Sequence, residues 1–325
     1  MDPSLTVSTL REIQRNREVY RRATMNSMVH VWNTVVFADG ERGGNPCPVV
    51  LDASRLTPEQ MQAIAKHFGH ECGFVVSAVD AAMPSFRFFV PEHEMSMCVH
   101  ATVALVALLR RSRRLQGPTA TVSTSVGSLQ VEIDGPDERP RVSVQQLPPT
   151  FSTVRETSVP DVCAVLRIRL DAMDEQLPVQ SVSVSRPKLI VPLQNVGILD
   201  HLTPDFEAVR ELCAAYETTG LYPFAVEGKN LAARQFPANS GYVEDAATGV
   251  AAGALAAYAA RYVPGFSQDQ WITIHQGQAM GKASVIEART ATVAGGAVAV
   301  VVRGDAQLLD EESIDLYNDV VVVAE

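Results

Sequence analysis

This sequence has few lysines and no closely spaced pairs of cysteines. Its charge and its cysteines argue against a nucleic-acid-binding protein and against a disulfide-stabilised one. Among 325 residues, lysine occurs only at positions 66, 188, 229 and 282, so arginine carries most of the positive charge. The formal net charge is −10 and the basic residues are scattered, which argues against nucleic acid as a partner. The five cysteines, at positions 47, 72, 98, 163 and 213, have no CxxC spacing. Their odd number favours reduced thiols and a cytoplasmic location over a disulfide framework.

Membrane, nucleotide and metal signatures are also missing. No apolar run is long enough to span a bilayer and no signal-peptide core is found, so no membrane partner is expected. The glycine-rich "GERGGN" at 40–45 precedes no helix pattern, and no GxxxxGK[ST] occurs, so no nucleotide cofactor is predicted. His67 and His70 lack the HExxH spacing and a second set of ligands, so no metal site is predicted.

The pattern of short strand-like segments around a few apolar helices predicts an α+β fold. Hydrophobic residues make up 46% of the chain, enough for a large core. Residues 1–27 are predicted to form an amphipathic helical extension that packs on the body or on a partner subunit, with a regulatory arm as the alternative. We divide the rest into an N-terminal half (28–147) and a C-terminal half (148–325), whose last strands are free to return to the first.

Two pairs of landmarks suggest that the halves are related. The apolar helices "HATVALVALL" and "AATGVAAGALAAY" align with Thr102 opposite Thr248, and helix starts at Thr57-Pro58 and Thr203-Pro204 have the same separation of 146 residues. Each half is therefore predicted to wrap a curved sheet around one buried helix. Chance similarity in an alanine-rich chain is the alternative.

The starts of these two helices are the predicted site. A buried helix leaves its first N–H groups unpaired and carries partial positive charge there, so two such ends would bind a carboxylate. His100 and Asp245 stand at these ends, and the backbone N–H groups of 100–102 and 247–250 are the predicted donors. Asp245 also fits a helix N-cap.

Two further side chains are candidates for moving a proton. Glu71, in "FGHECGF", lies where a helix meets an apolar strand, and partial desolvation there suits a carboxylate to proton transfer. An ordinary turn residue is the alternative for Glu71. Cys98 is a thiol base if the helix end lowers its pKa, and otherwise a small buried apolar residue.

Five stretches, taken together, resemble the PhzF-like family of phenazine-biosynthesis-type isomerases, within the diaminopimelate-epimerase fold superfamily. They occur in the family's order and cover nearly all of the chain after Met28: "GGNPCPVVLDA", "FGHECGFV", "HEMSMCVHAT", "GYVEDAATGVAAGALAAY" and "HQGQAMGKASVIEA". The resemblance implies two pseudo-symmetric halves with the active site between them. It also implies chemistry without a cofactor, and a homodimer.

The resemblance also assigns roles to residues. The family's catalytic glutamate falls on Glu71, its supporting histidine and aspartate fall on His100 and Asp245, and its Asn-Pro motif falls on Asn45 and Pro46. The implied reaction removes a proton beside an unsaturated system and returns it elsewhere, which shifts a double bond. The residues expected to bind substrate are Asn45, Cys98, Ala101, Thr102, Thr248, Gly249, Val250, Gln276 and Gly277.

Four departures from the family pattern bear on the substrate. Val99 replaces a glycine, Ala246 a proline, Val250 a serine and Lys282 an arginine. Val250 removes a hydroxyl that could bind a carboxylate, and Val99 narrows the other helix end. We therefore expect a reshaped, more apolar pocket and do not carry over the phenazine precursor as substrate.

Three functions remain open from the sequence. The leading hypothesis is a cofactor-independent isomerase acting on a small unsaturated carboxylic acid or cyclic amino-acid-like intermediate of specialised-metabolite biosynthesis, such as antibiotic biosynthesis. The second is an epimerase or racemase that pairs Cys98 with Glu71 or Asp245, since "EDAATG" offers no second thiol. The third is a non-catalytic protein that binds a small molecule on the same fold.

Overall fold

The computed structural model describes residues 28–78, 81–153, 159–292, 298–317 and 320–323. The extension predicted at 1–27 lies outside these ranges. Across the described ranges, no helix is long and apolar enough to cross a membrane. Six α-helices occur in them: α1 (Pro58–Phe68), α2 (Val99–Arg111), α3 (Val159–Leu166), α4 (Val196–Asp200), α5 (Phe206–Ala215) and α6 (Gly249–Tyr262).

Strands make up most of the remaining structure, and two groups of them each surround one central helix. The first nine described are β1 (Met28–Val36), β2 (Asn45–Val50), β3 (Cys72–Val75), β4 (Phe86–Phe89), β5 (Glu94–Met95), β6 (Thr119–Thr124), β7 (Gly127–Asp134), β8 (Arg141–Gln146) and β9 (Thr150–Thr153). The next nine are β10 (Gln180–Ser183), β11 (Pro187–Pro192), β12 (Gly220–Glu227), β13 (Asn230–Ala233), β14 (Phe236–Pro237), β15 (Ile272–Gln276), β16 (Ser284–Thr292), β17 (Val298–Tyr317) and β18 (Val320–Val323).

The same order of elements occurs twice along the chain. In the first group, β1 pairs antiparallel with β2, and the chain passes through α1 to β3, which is parallel to β2 and antiparallel to β4. In the second group, β10 pairs antiparallel with β11, and the chain passes through α5 to β12, which is parallel to β11 and antiparallel to β13. The α+β fold predicted from the sequence is therefore confirmed.

The long strand β17 joins the two groups. Its first part pairs with β16 and with β8, and its second part pairs with β1 and β18. At the crossing, a Cβ on Gly304 would lie 2.2 Å from the ring of Phe37, so only glycine fits there. The sequence analysis assigned strands β6, β7 and β8 to the N-terminal half. In the structure they pair in that order, and β8 then pairs with the first part of β17 rather than with β1. The boundary at residue 147 stays a prediction.

The central helices α2 and α6 are buried along three turns. Residues 99–109 and 249–259 are all buried, which explains why neither segment carries a polar face. The two helices meet at their N-termini, because a Cβ on Gly249 would lie only 2.7 Å from Cβ of Val99. Each of these residues is the first of its helix. The predicted meeting of the two helix ends is therefore present.

Two details of the sequence alignment are wrong. Cys98 and Thr248 are the N-cap residues, so the helix starts lie 150 residues apart, and Thr102 sits a full turn inside α2. Helix α5 begins at Phe206, where the Asp205 carboxylate accepts a hydrogen bond from Ala208 N (3.3 Å), and not at Thr203-Pro204. The carboxylate is a strong N-cap, and it takes precedence over the upstream threonine. By contrast, Thr57 does cap α1 and forms a capping box with Gln60.

The contact between the helix ends predicts a coupled pair of substitutions. Gly249→Ala adds a methyl group against Val99 and should cost about 1–3 kcal/mol of unfolding free energy, although alanine normally favours a helix. In the double variant Gly249→Ala with Val99→Gly, the space is restored, so the loss should be smaller than the sum of the two single losses. Urea unfolding of the four proteins measures this. Additive losses would contradict the contact.

Candidate active site

Glu71 stands at the junction between α1 and β3. Helix α1 ends at Gly69, whose φ of 67° is in the left-handed region, and the chain then turns directly into β3. The side chain of Glu71 is 12% exposed, so the carboxylate sits just inside the mouth of a cleft. The sequence predicted this junction correctly.

The N-cap of α2 and a residue of its first turn bring their side chains to the same carboxylate oxygen. Nδ1 of His100 lies 3.1 Å from Oε2 of Glu71, and the Cys98 thiol donates to the same oxygen over 3.5 Å. Sγ of Cys98 is also 3.2 Å from Nδ1 of His100. A thiol, an imidazole and a carboxylate are therefore in mutual contact at the N-terminus of α2.

Burial shifts the pKa values of the imidazole and of the thiol. Desolvation lowers the pKa of His100, although the Glu71 carboxylate opposes it, so the imidazole is neutral at pH 7. Desolvation, followed by the charge of Glu71, raises the pKa of Cys98 well above its usual value. Of the two alternatives for Cys98, the raised pKa favours a small buried residue over a thiol base, because the dry surroundings and the neighbouring carboxylate outweigh the helix dipole.

The trio also has the composition of a metal site. Its ligand atoms from Glu71, Cys98 and His100 all lie within 4.8 Å of one another. A zinc-like ion there would have to displace the thiol proton and replace the hydrogen bonds that now join the three groups. The absence of a metal stays a prediction from the sequence.

Tyr242 is a functional candidate that the sequence analysis missed. Its hydroxyl donates to Oε1 of Glu71 over 3.1 Å, from the loop that precedes α6. Both oxygens of Glu71 are thus hydrogen-bonded, one from each half of the chain. Tyr242 also lines two cavities, of about 180 and 280 Å³. The sequence contains Tyr242 in the "GYVED" motif, but the separation of 171 residues between Tyr242 and Glu71 gave no sign that the two side chains meet.

Asp245 is held on the opposite side of the cleft. Its Oδ1 accepts from Nδ2 of Asn45 (2.7 Å), which also donates to the carbonyl of Ala247 (2.9 Å), and its Oδ2 accepts from the Thr248 hydroxyl. Desolvation and then the charge of Glu71 raise the pKa of Asp245 to about 7. Asn45 of β2 therefore ties the first half to the start of α6.

Gln276 and Gly277 fix the loop that carries Asp245. The Gln276 amide, which is fully buried, donates to the carbonyl of Asp245 (2.7 Å) and accepts from Thr248 N (3.3 Å) and from the Tyr222 hydroxyl (2.8 Å). Gly277 has φ of 84°, and a Cβ there would lie 2.2 Å from a backbone oxygen. We infer that these two residues position the site rather than touch substrate.

The free N–H groups are those of the first turn of each helix. Thr102 N and Ala252 N already donate within their helices, to Cys98 O (3.0 Å) and Thr248 O (2.9 Å). The Thr102 hydroxyl also donates to Cys98 O (2.8 Å). Thr102 therefore has no free donor for substrate, and the prediction that it binds substrate is wrong. The segments 99–101 and 249–251, which include Ala101, Gly249 and Val250, precede the first intrahelical bonds. Of the predicted donors, Ala101 N already bonds the Cys98 side chain and Thr248 N donates to the Gln276 amide (3.3 Å).

The acidic pair before α6 splits between two tasks. Glu244 turns away from Asp245 and forms a two-pronged ion pair with Arg234 (2.8 and 2.7 Å). Arg234, 8% exposed, also donates to the carbonyls of Leu199 and Leu202, so every arm of its guanidinium is used. Glu244 therefore anchors the loop, and Asp245 is left to face Glu71.

The entrance to the cleft is small. A cavity of about 180 Å³ reaches Glu71 and Asp245 and is lined in part by Asn45, His70 and Lys282. Lysine at 282 therefore stands at the mouth, where the family pattern has arginine. The cleft therefore holds two carboxyl groups, one from each half, and both are hydrogen-bonded.

Comparison with known proteins identifies the family. The chain matches the family described as "Phenazine biosynthesis-like protein" over residues 34–312, and it belongs to that family. It is 32% identical to an uncharacterized isomerase, YfhB, of Bacillus subtilis over 278 residues, which cover 83% of this chain and 93% of that protein. It is 28% identical to the trans-2,3-dihydro-3-hydroxyanthranilate isomerase of Pseudomonas chlororaphis over 255 residues, covering 78% and 87%.

A solved structure supports the same assignment. The crystal structure of a PhzF-family phenazine biosynthesis protein from Bacillus anthracis aligns with a TM-score of 0.79 at 26% identity, covering 88% of this chain and 98% of that one. The resemblance drawn from the five stretches is confirmed. The relatives are named isomerases, and the substrate is not fixed by them.

Asp245→Asn tests the buried carboxyl through stability. Because the pKa of Asp245 rises from 3.8 to about 7 on folding, the folded protein keeps a proton that the unfolded chain releases between these values. Wild-type stability therefore falls as pH rises through this window, whereas asparagine has no proton to lose. The Tm of the variant relative to wild type should increase from pH 4 to pH 7.

The exposed residue Asp39 provides the matched control for this measurement. Asp39→Asn should give a Tm difference from wild type that changes little with pH. A Tm difference for Asp245→Asn that also stays constant across the window would show that the Asp245 carboxyl is not kept protonated by burial.

Proposed function

We propose that this protein is a cofactor-independent isomerase that shifts a double bond in a small unsaturated carboxylic acid by moving one proton. The observation that carries the proposal is the placement of Glu71, between donors from both halves and opposite Asp245. Membership of a family with isomerase relatives supports the reaction class.

The reaction needs one group that both takes and gives a proton. Glu71, as carboxylate, removes a proton from a carbon next to the unsaturated system, and the electron pair of the broken C–H bond moves into that system. The double bond shifts, and Glu71 returns the proton to a more distant carbon. Atoms and electrons balance without any oxidant or second substrate.

Other groups hold the substrate and its developing charge. The first N–H groups of α2 and α6 face the junction and suit a carboxylate or an enolate-like oxygen. His100, neutral and fixed beside Glu71, orients that carboxylate. Asp245, with a pKa near 7, is able to donate a hydrogen bond to a polar group of the substrate.

The epimerase alternative is weakened by the contact between Cys98 and Glu71. Two bases that invert a carbon must lie on opposite faces of it, and these two groups are 3.5 Å apart with no room for a carbon between them. The pairing of Cys98 with Asp245 is therefore the form of the alternative that experiments must address. A non-catalytic binding protein has no use for a buried acid and base pair of this kind.

Turnover of a compound panel tests the assignment. The panel contains unsaturated cyclic amino acids, including trans-2,3-dihydro-3-hydroxyanthranilate, and product is followed by the change in ultraviolet absorbance. Glu71→Gln keeps the size of the side chain and one accepting oxygen but cannot carry a proton, so kcat/KM should fall about 10²- to 10⁴-fold. Cys98→Ala should lower it far less.

Glu59→Gln, at an exposed glutamate of α1, is the matched control and should behave as wild type. Equal activity of wild type and Glu71→Gln on a confirmed substrate would contradict the proposal. Inversion at an α-carbon without a displaced double bond, lost in Asp245→Asn, would instead establish the epimerase.

A further inference from the structure

Lys188 is a buried lysine that the mechanism above leaves unused. It lies in β11 and is 3% exposed. Ile190, two residues along, packs in the central core around α2 and α6, whereas Leu189 and Val191 pack in the outer core under α4 and α5. Since side chains alternate along a strand, Lys188 points to the inner side, toward the central helices.

An unpaired amide lies beside it. In the parallel pairing of β11 with β12, Leu189 is opposite Leu221, so Lys188 is next to Gly220. A Cβ on Gly220 would lie 2.3 Å from Nε2 of Gln235, so the amide occupies the space over that glycine. Gln235 is 1% exposed, and neither atom of its amide has a hydrogen-bond partner within the described ranges.

This pair borders the proposed active site. The backbone carbonyl of Gln235 accepts from Asp245 N over 3.0 Å, so Gln235 lies next to the loop that carries Asp245. Arg186, next but one to Lys188, reaches across to the sulfur of Met95 in the first half (3.3 Å). The inner end of β11 therefore faces the junction between the halves.

The negative groups near Lys188 do not fully offset the effect of burial on its ammonium group. Burial, and then the charge of Arg186, lower the pKa of Lys188 to about 7, whereas Asp245, Cys213 and Glu71 act in the opposite direction. Within the described part of the chain, Nζ of Lys188 donates no hydrogen bond. The buried amide without partners, next to an amine whose charged form is disfavoured by burial, carries an energetic cost that a bound anion would offset.

We propose that Lys188 and the Gln235 amide form a subsite that binds the carboxylate of the substrate. The inference rests on the proposed function, and it places the carboxylate at the wall of the second half. It also offers a substitute for the serine hydroxyl that Val250 replaces at the start of α6. An ammonium and an amide N–H together match the two oxygens of a carboxylate.

The small number of lysines makes the test direct. Protein labelled with ¹³C at lysine Cε gives signals from four residues, and Lys188→Met identifies the signal of Lys188. The probes are anthranilate and its uncharged analogue anthranilamide. Anthranilate should move the titration of the Lys188 signal to higher pH, because a paired carboxylate favours the charged amine, and anthranilamide should not.

Binding of the two probes gives the matching affinities. Lys188→Met should weaken anthranilate about 10- to 100-fold, the loss expected when a hydrogen bond to a charged group is removed, and should leave anthranilamide nearly unchanged. Gln235→Met should weaken anthranilate less. Lys229→Met, in the exposed turn between β12 and β13, is the control and should bind both probes as wild type.

Two results would overturn the subsite. One is an equal response of the Lys188 signal to both probes, or none to either at millimolar concentration. The other is unchanged anthranilate affinity in a folded Lys188→Met protein. The outcomes separate from those of the proposed function, since a carboxylate-selective Lys188 in a protein that isomerises no compound would keep the subsite and reject the isomerase.

Discussion

The close contact between the N-termini of the two central helices is the constraint on which the site depends. Val99 and Gly249 touch, so the free N–H groups of both helices open onto one small space. Burial of both helices along their length keeps water away from that space. A negative charge that develops there, as on an enolate-like oxygen, meets two positive helix ends in a medium of low polarity, where each interaction is stronger than at a surface.

The two halves contribute different chemistry to this junction. The first supplies Glu71 and His100, which contact each other directly. The second supplies Asp245, held by Asn45 from the first half, and the hydroxyl of Tyr242, which bonds Glu71. Each carboxylate is therefore hydrogen-bonded from the opposite half. Relative movement of the halves would disturb both at once, which makes the geometry of the acid and base pair a property of the whole fold.

Much of the fold and site could be predicted from the sequence, because the signals were local. The cap at Thr57, the apolar helices and the junction at Glu71 follow from neighbouring residues alone. The predicted alignment of the two helices was wrong by one turn. It placed Thr102 opposite Thr248, although only Thr248 is an N-cap. Tyr242 and Lys188 were not found, because their partners are brought near by pairing between distant strands and loops.

The central claim is that Glu71 carries the proton between two carbons of the substrate. Proton NMR in D₂O, with a compound that the protein isomerises, tests it most directly, because each exchange with solvent leaves deuterium at a defined carbon. We expect deuterium at the carbon that receives the proton, together with the shifted double bond, in wild type and neither change in Glu71→Gln. Deuterium incorporation at the same rate in Glu71→Gln would contradict the account.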